Sequence, residues 1–116
     1  MRLPHLITVA AFALAAACGG STSPSGPGPN QVFMVGLAFT PLTRTVSAGT
    51  TVTWLNQDAV AHTVTYSSGP GSAFDSGSIA AGGVYTHTFA VAGTYQVYCT
   101  IHGTPTTGMH ATVVVQ

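Results

Sequence analysis

From Gln31 to Gln116 the chain is a series of short apolar or alternating runs broken by turn residues, and this punctuation limits what it can build. Pro41, Ala48-Gly49, Gly69-Pro70-Gly71, Ala81-Gly82-Gly83, Ala92-Gly93 and Gly103-Thr104-Pro105 each supply a preset φ or tolerance of positive φ. The runs between them suit strands and leave no helix to expect. Strands are predicted over 31–35, 43–46, 51–56, 62–66, 77–79, 84–89, 93–99 and 111–116. Some eight strands with turns this frequent imply an all-β, Greek-key β-sandwich. Alternation places Val52 and Trp54 on one face, and Tyr95, Val97 and Cys99 on a common face of their strand. Cys99 therefore ends a strand with its thiol aimed the same way as core residues.

Composition narrows the class of partner. Charged residues make up 3% of the chain, namely Arg2, Arg44, Asp58 and Asp75. A nucleic-acid binder needs clustered Lys and Arg to neutralise phosphates, and no such cluster exists. After the N-terminus no apolar run approaches the length that spans a bilayer.

Residues 1–18 have the pattern of an export signal: Arg2 as a short basic start, an apolar stretch from Leu6 to Leu14, and Ala15-Ala16-Ala17 before Cys18. Small residues ahead of a cysteine resemble a bacterial lipobox, which makes Cys18 the expected lipidation site, with ordinary cleavage near Ala17 as the alternative. Residues 19–30 are Gly, Ser, Thr, Pro and Asn with no large apolar side chain, and so are expected to form a disordered tether. The domain organisation expected is thus a signal over 1–18, a tether over 19–30 and one folded domain over 31–116. An exported, periplasmic or cell-surface module, lipid-anchored to a membrane, follows from that order; a monomer is expected.

Soft and borderline donors fall in two places. His62 stands alone on a middle run, whereas Cys99, His102 and Met109 lie within the turn between the last two strands. A loop between adjacent strands can bring a thiolate, an imidazole and a thioether round one point, and a histidine from a neighbouring segment can close the site. Two imidazoles and a thiolate with a weak, long thioether favour copper in both oxidation states. Asn56 and Thr63 are placed to hydrogen-bond between the ligand segments.

The run Phe39-Thr40-Pro41, Val46, Gly49, Val52, Trp54, Asn56, Asp58 and His62-Thr63-Val64, with Phe74-Asp75-Ser76-Gly77, Gly93 to His102 and Gly108-Met109, resembles the plastocyanin branch of the cupredoxins. The resemblance covers nearly all of 31–116. It implies a type 1 blue copper protein with His62, Cys99, His102 and Met109 as ligands to one copper ion. One departure stands out: six residues, Gly103 to Gly108, separate His102 from Met109, where the family usually has fewer.

The function expected is reversible one-electron transfer to redox protein partners in transient complexes, with His102 by resemblance the ligand nearest the surface. A copper delivery or storage protein is the alternative, although such sites favour clusters of Met and His open to solvent. Four protein ligands leave no open position for a substrate, so an enzyme is not expected. Among the remaining residues, His87 shares alternation with Tyr85 and Phe89 and points inward or to a sheet edge. His110 alternates to the face opposite Met109. Tyr95 is expected to form a Greek-key corner, and Asp58 to support the site or sit in a solvated turn.

Overall fold

The computed structural model describes residues 26–116, which form two four-stranded sheets packed face to face. The signal over 1–18, Cys18 and most of the tether lie outside the described residues. The strands are β1 (Gln31–Met34), β2 (Phe39–Thr40), β3 (Thr43–Val46), β4 (Thr50–Asn56), β5 (Thr65–Ser68), β6 (Val84–Phe89), β7 (Gly93–Gly103) and β8 (Gly108–Val115). The first sheet has the order β2-β1-β4-β6 and the second β3-β8-β7-β5. The β1·β4 and β3·β8 pairs are parallel and the others antiparallel, because the chain leaves the first sheet after β2 and returns to it at β4.

Alternation along the strands builds the core between the sheets. Val32, Met34, Val52 and Trp54 face inward from the first sheet. Tyr95, Val97, Cys99, Met109, Ala111, Val113 and Val115 face them from the second. Phe89 bridges the aromatic interior, 6.1 Å from Trp54 and 4.9 Å from Tyr95 between ring centroids. The Tyr95 hydroxyl donates to the Val91 carbonyl at 2.7 Å, which pins the corner ahead of β7. Arg44 on β3 donates from Nε and Nη2 to the Gln31 carbonyl on β1, so its charge ties one sheet to the other.

The observed elements depart from expectation in several places, and β8, expected from 111, already starts at Gly108. Gly28 to Gln31 form a hydrogen-bonded turn, and the Asn30 carbonyl accepts from Thr53, so the ordered domain begins slightly before Gln31. The two-residue β2 is an element that the sequence pattern does not announce. The strand expected over 62–66 starts only at Thr65, and 77–79 is no strand: His62 and Ile79 meet in an isolated bridge. Both shifts have one cause. The Asn56 side chain binds the carbonyls of Val60, Ile79 and Ala80, drawing these segments together at the sandwich end instead of into the sheet ladder.

Candidate metal centre

The end of the sandwich where β4 and β7 finish and β8 begins gathers the donor residues. Cys99 is the last buried residue of the inward-facing β7 row and is completely buried. His102 lies three residues on in the same strand, which extends to Gly103, farther than the expected end at Cys99. His62 is also completely buried, in the irregular segment ahead of β5.

The donor atoms form a triangle. His62 Nδ1 and His102 Nδ1 are 3.0 Å apart, and Cys99 Sγ is 3.8 Å from the first and 3.7 Å from the second. A point equidistant from these three atoms lies about 2 Å from each, the bond length a first-row transition metal makes to nitrogen and close to the one it makes to sulfur. Among the described residues this is the one such cluster of His, Cys, Asp and Glu. A thiolate with two imidazoles in a roughly trigonal set fits copper better than hard cations, which take oxygen donors.

Met109 is buried on β8, and its position is fixed by the closing of the loop before it. Gly103 and Gly108 pair across the hairpin beyond a register shift. A Cβ on Gly103 would come within 2.5 Å of the Met109 nitrogen, and one on Gly108 within 2.6 Å of the His102 carbonyl, where φ is +67°. Only glycine permits this approach. The intervening residues fold on themselves: Thr104 N–H donates to the Thr107 carbonyl at 2.9 Å, and Thr107 N–H donates to Thr104 Oγ1 at 3.1 Å. The extra loop length is thus taken up outside the Gly103·Gly108 pair, which leaves β8 to carry Met109 inward.

Surrounding hydrogen bonds separate the expected supporting residues by role. Thr63 joins the two ligand segments: its N–H points at Cys99 Sγ, 3.3 Å away, and its Oγ1 accepts from Thr100 N–H at 2.9 Å. Asn56 acts on the His62 side alone, donating to the three carbonyls already described and accepting from Asp58 N–H at 3.0 Å. Of the two expectations for Asp58, support of the site is the one observed. Its carboxylate accepts from His62 Nε2 at 2.7 Å, Gly36 N–H at 2.7 Å and Leu37 N–H at 2.9 Å. The Leu37 bond foremost, then those of His62 and Gly36, outweigh the opposing effect of burial and hold this carboxyl below the usual carboxylate range. Sequence spacing could not reveal the Leu37 contact, because that residue lies 21 positions upstream of Asp58.

His87 and His110 lie outside the cluster. His87 stacks on Phe74 with ring centroids 3.8 Å apart, and burial lowers its pKa. His110 sits opposite Tyr98 on the outer face of the second sheet, half-buried.

Comparison with known proteins points the same way. Residues 30–116 match the family described as copper binding proteins, plastocyanin/azurin family. Amicyanin-alpha of Methylorubrum extorquens is 34% identical over 96 residues, covering 80% of this chain and 80% of the relative. The Cu(I) structure of an amicyanin mutant with glutamine in place of a methionine superposes with a TM-score of 0.65 at 31% identity, over 74% of this chain and 80% of that one. A purple cupredoxin from Nitrosopumilus maritimus superposes with a TM-score of 0.63 at 28% identity, over 74% of this chain and 98% of that one.

Proposed function

The chain belongs to the plastocyanin/azurin family of copper-binding proteins, and from that premise we propose that it carries single electrons through one copper ion held by His62, Cys99, His102 and Met109. The observation that carries the proposal is the donor triangle, whose size suits one ion and whose chemistry suits copper. When bound, copper supplies a one-electron couple between Cu(II) and Cu(I).

The protein's part is to keep the donors still while the charge changes. Cys99 is completely buried, follows directly on Tyr98, the last residue of β7 paired before the register shift, and faces the Thr63 N–H, so its sulfur has little room to move. His62 is fixed through Asp58 and by its backbone bridge to Ile79. His102 is partly exposed and offers the way to the surface. Electrons tunnel better the less the donors rearrange, and a sandwich end braced on each side meets that need.

The surface around the site favours brief, apolar docking. Leu37, Val60 and Ile101 are exposed, and each lies next to the site: Leu37 bonded to Asp58, Val60 bonded to Asn56, Ile101 beside His102. Arg44, Asp58 and Asp75 are the charged side chains among the described residues, and Arg44 and Asp58 are engaged as described. A redox protein partner forming a small transient interface suits this surface. The export-signal pattern over 1–18 and the lipobox-like Cys18 support work in the cell envelope, tethered to a membrane by lipid.

The test is repeated reduction and reoxidation of the copper-loaded protein in the presence of a chelator. The proposal expects many cycles with stoichiometric copper retained. Release of copper to the chelator on the first reduction would mean delivery, and would overturn the electron-carrier reading.

A further inference from the structure

His62 has both ring nitrogens engaged. Nδ1 belongs to the donor triangle, while Nε2 lies 2.7 Å from Asp58 Oδ2. Asp58 is well placed for more than a passing contact, because its side chain is only 15% exposed and its own N–H is anchored on Asn56. Its carboxylate is gripped by two successive backbone N–H groups, those of Gly36 and Leu37. These residues have φ of +64° and +58°. For leucine that is an unfavourable left-handed conformation, so the chain accepts local strain to aim both N–H groups at one carboxylate. Among the described residues no Lys or Arg pairs with Asp58: the one such side chain there, Arg44, is bound to the Gln31 carbonyl. The carboxylate is therefore held by dipoles and not neutralised, and its charge acts on His62.

We infer that Asp58 is a positioning residue that sets the reduction potential, its carboxylate fixing the His62 proton on Nε2, freeing Nδ1 as the donor, and lending negative charge that favours Cu(II) over Cu(I). The inference rests on the copper reading above. A carboxylate on the far nitrogen of a metal-binding imidazole orients the ring and raises its donor strength, and loss of such a partner typically weakens metal binding by about 10–100-fold. Removal of a negative charge weakens binding of the more highly charged ion more. The Gly36-Leu37 turn, distant in sequence, thus belongs to the machinery that tunes the site.

The experiment compares the copper protein with Asp58→Asn, which keeps the size and one acceptor but removes the charge, and with Asp58→Ala, which removes both. Each variant should keep the thiolate-to-copper absorption, because Cys99 is untouched. The potential should rise in both, more in Asp58→Ala, where a 10–100-fold selective loss of Cu(II) affinity corresponds to about 59–118 mV at 59 mV per tenfold. A second arm needs neither copper nor a variant: ¹⁵N spectra of the metal-free wild type should show the His62 ring protonated on Nε2 and slow to exchange. A blue wild type whose potential neither substitution moves, or a metal-free His62 protonated on Nδ1, would overturn this inference alone. A wild type that takes up no copper would remove the functional reading and the potential claim with it, while the ring tautomer would still decide the positioning role.

Discussion

His62 and His102 present Nδ1 atoms to one point from 3.0 Å apart, yet the chain holds them in opposite ways. His62 is completely buried and bonded at its far nitrogen to an anchored carboxylate. His102 is partly exposed on a hairpin closed by two glycines, and among the described residues no comparable carboxylate holds it. One side of the site is sealed and braced, and the other opens to solvent. On the electron-carrier proposal, that contrast lets a small domain shield the metal from water and still pass an electron out.

The strongest way to break that contrast is to delete each ring in turn. His62→Gly and His102→Gly should both abolish the blue absorption. Added imidazole should restore it in His102→Gly, where the gap opens to solvent, and not in His62→Gly, where the gap is sealed. Equal rescue of the two, read by titration of the visible band, would show that the burial difference does not govern access.

The hairpin side is expected to be brittle next. Gly108→Ala forces a Cβ against the His102 carbonyl at a φ of +67°, while Gly82→Ala, at φ +75°, meets open space. The first should lose about 2–4 kcal/mol of stability together with copper binding, the second about 1 kcal/mol with the site intact. Denaturant unfolding with and without copper separates them.

The His62 side is sharpened by Asn56→Ala, which strips the donor from the carbonyls of Val60, Ile79 and Ala80. A loss of about 1–3 kcal/mol is expected, since the Val60 carbonyl and the Asp58 N–H lose their partner, while the Ile79 and Ala80 carbonyls keep the N–H groups of His62 and Gly83. Its effect should fall on the anchored side: the exposed hairpin should keep its amide exchange pattern.

How far the sequence revealed this arrangement depends on the range of the contacts. Alternation is local, so the rows ending in Trp54 and in Cys99 were legible, as were the runs that became β3 and β6. The hydroxyl of Tyr95 could be placed at a corner because its acceptor is four residues away. The alternation of 62–66 points to a strand holding His62, but Asn56 pulls the segment out of the ladder, and no periodicity encodes a side chain binding three separate carbonyls. β2 escapes detection because two residues carry no period. Asp58 lies four residues before His62, a spacing that signals contact only in a helix. In an irregular segment the pairing depends on the Gly36-Leu37 turn, which sequence alone does not bring near.

The smallest predicted effect concerns His87, remote from either side of the site and packed between Phe74 and Phe89. Burial lowers its pKa from the ordinary 6.5, so below that value the unfolded chain binds a proton more readily than the folded one. The stability this residue contributes is complete above pH 6.5 and is lost as pH falls toward the depressed folded value. His87→Gln should therefore gain on the wild type as pH drops from neutral to about 5, read as Tm against pH. A constant difference would mean that burial does not act on this ring.

The most direct test of the copper site is the absorption and electron paramagnetic resonance spectrum of residues 19–116 with one equivalent of Cu(II), beside Cys99→Ser. An intense thiolate-to-copper band that bleaches reversibly with reductant and disappears in the variant is expected. A colourless protein, or copper spectra unchanged by the substitution, would contradict it.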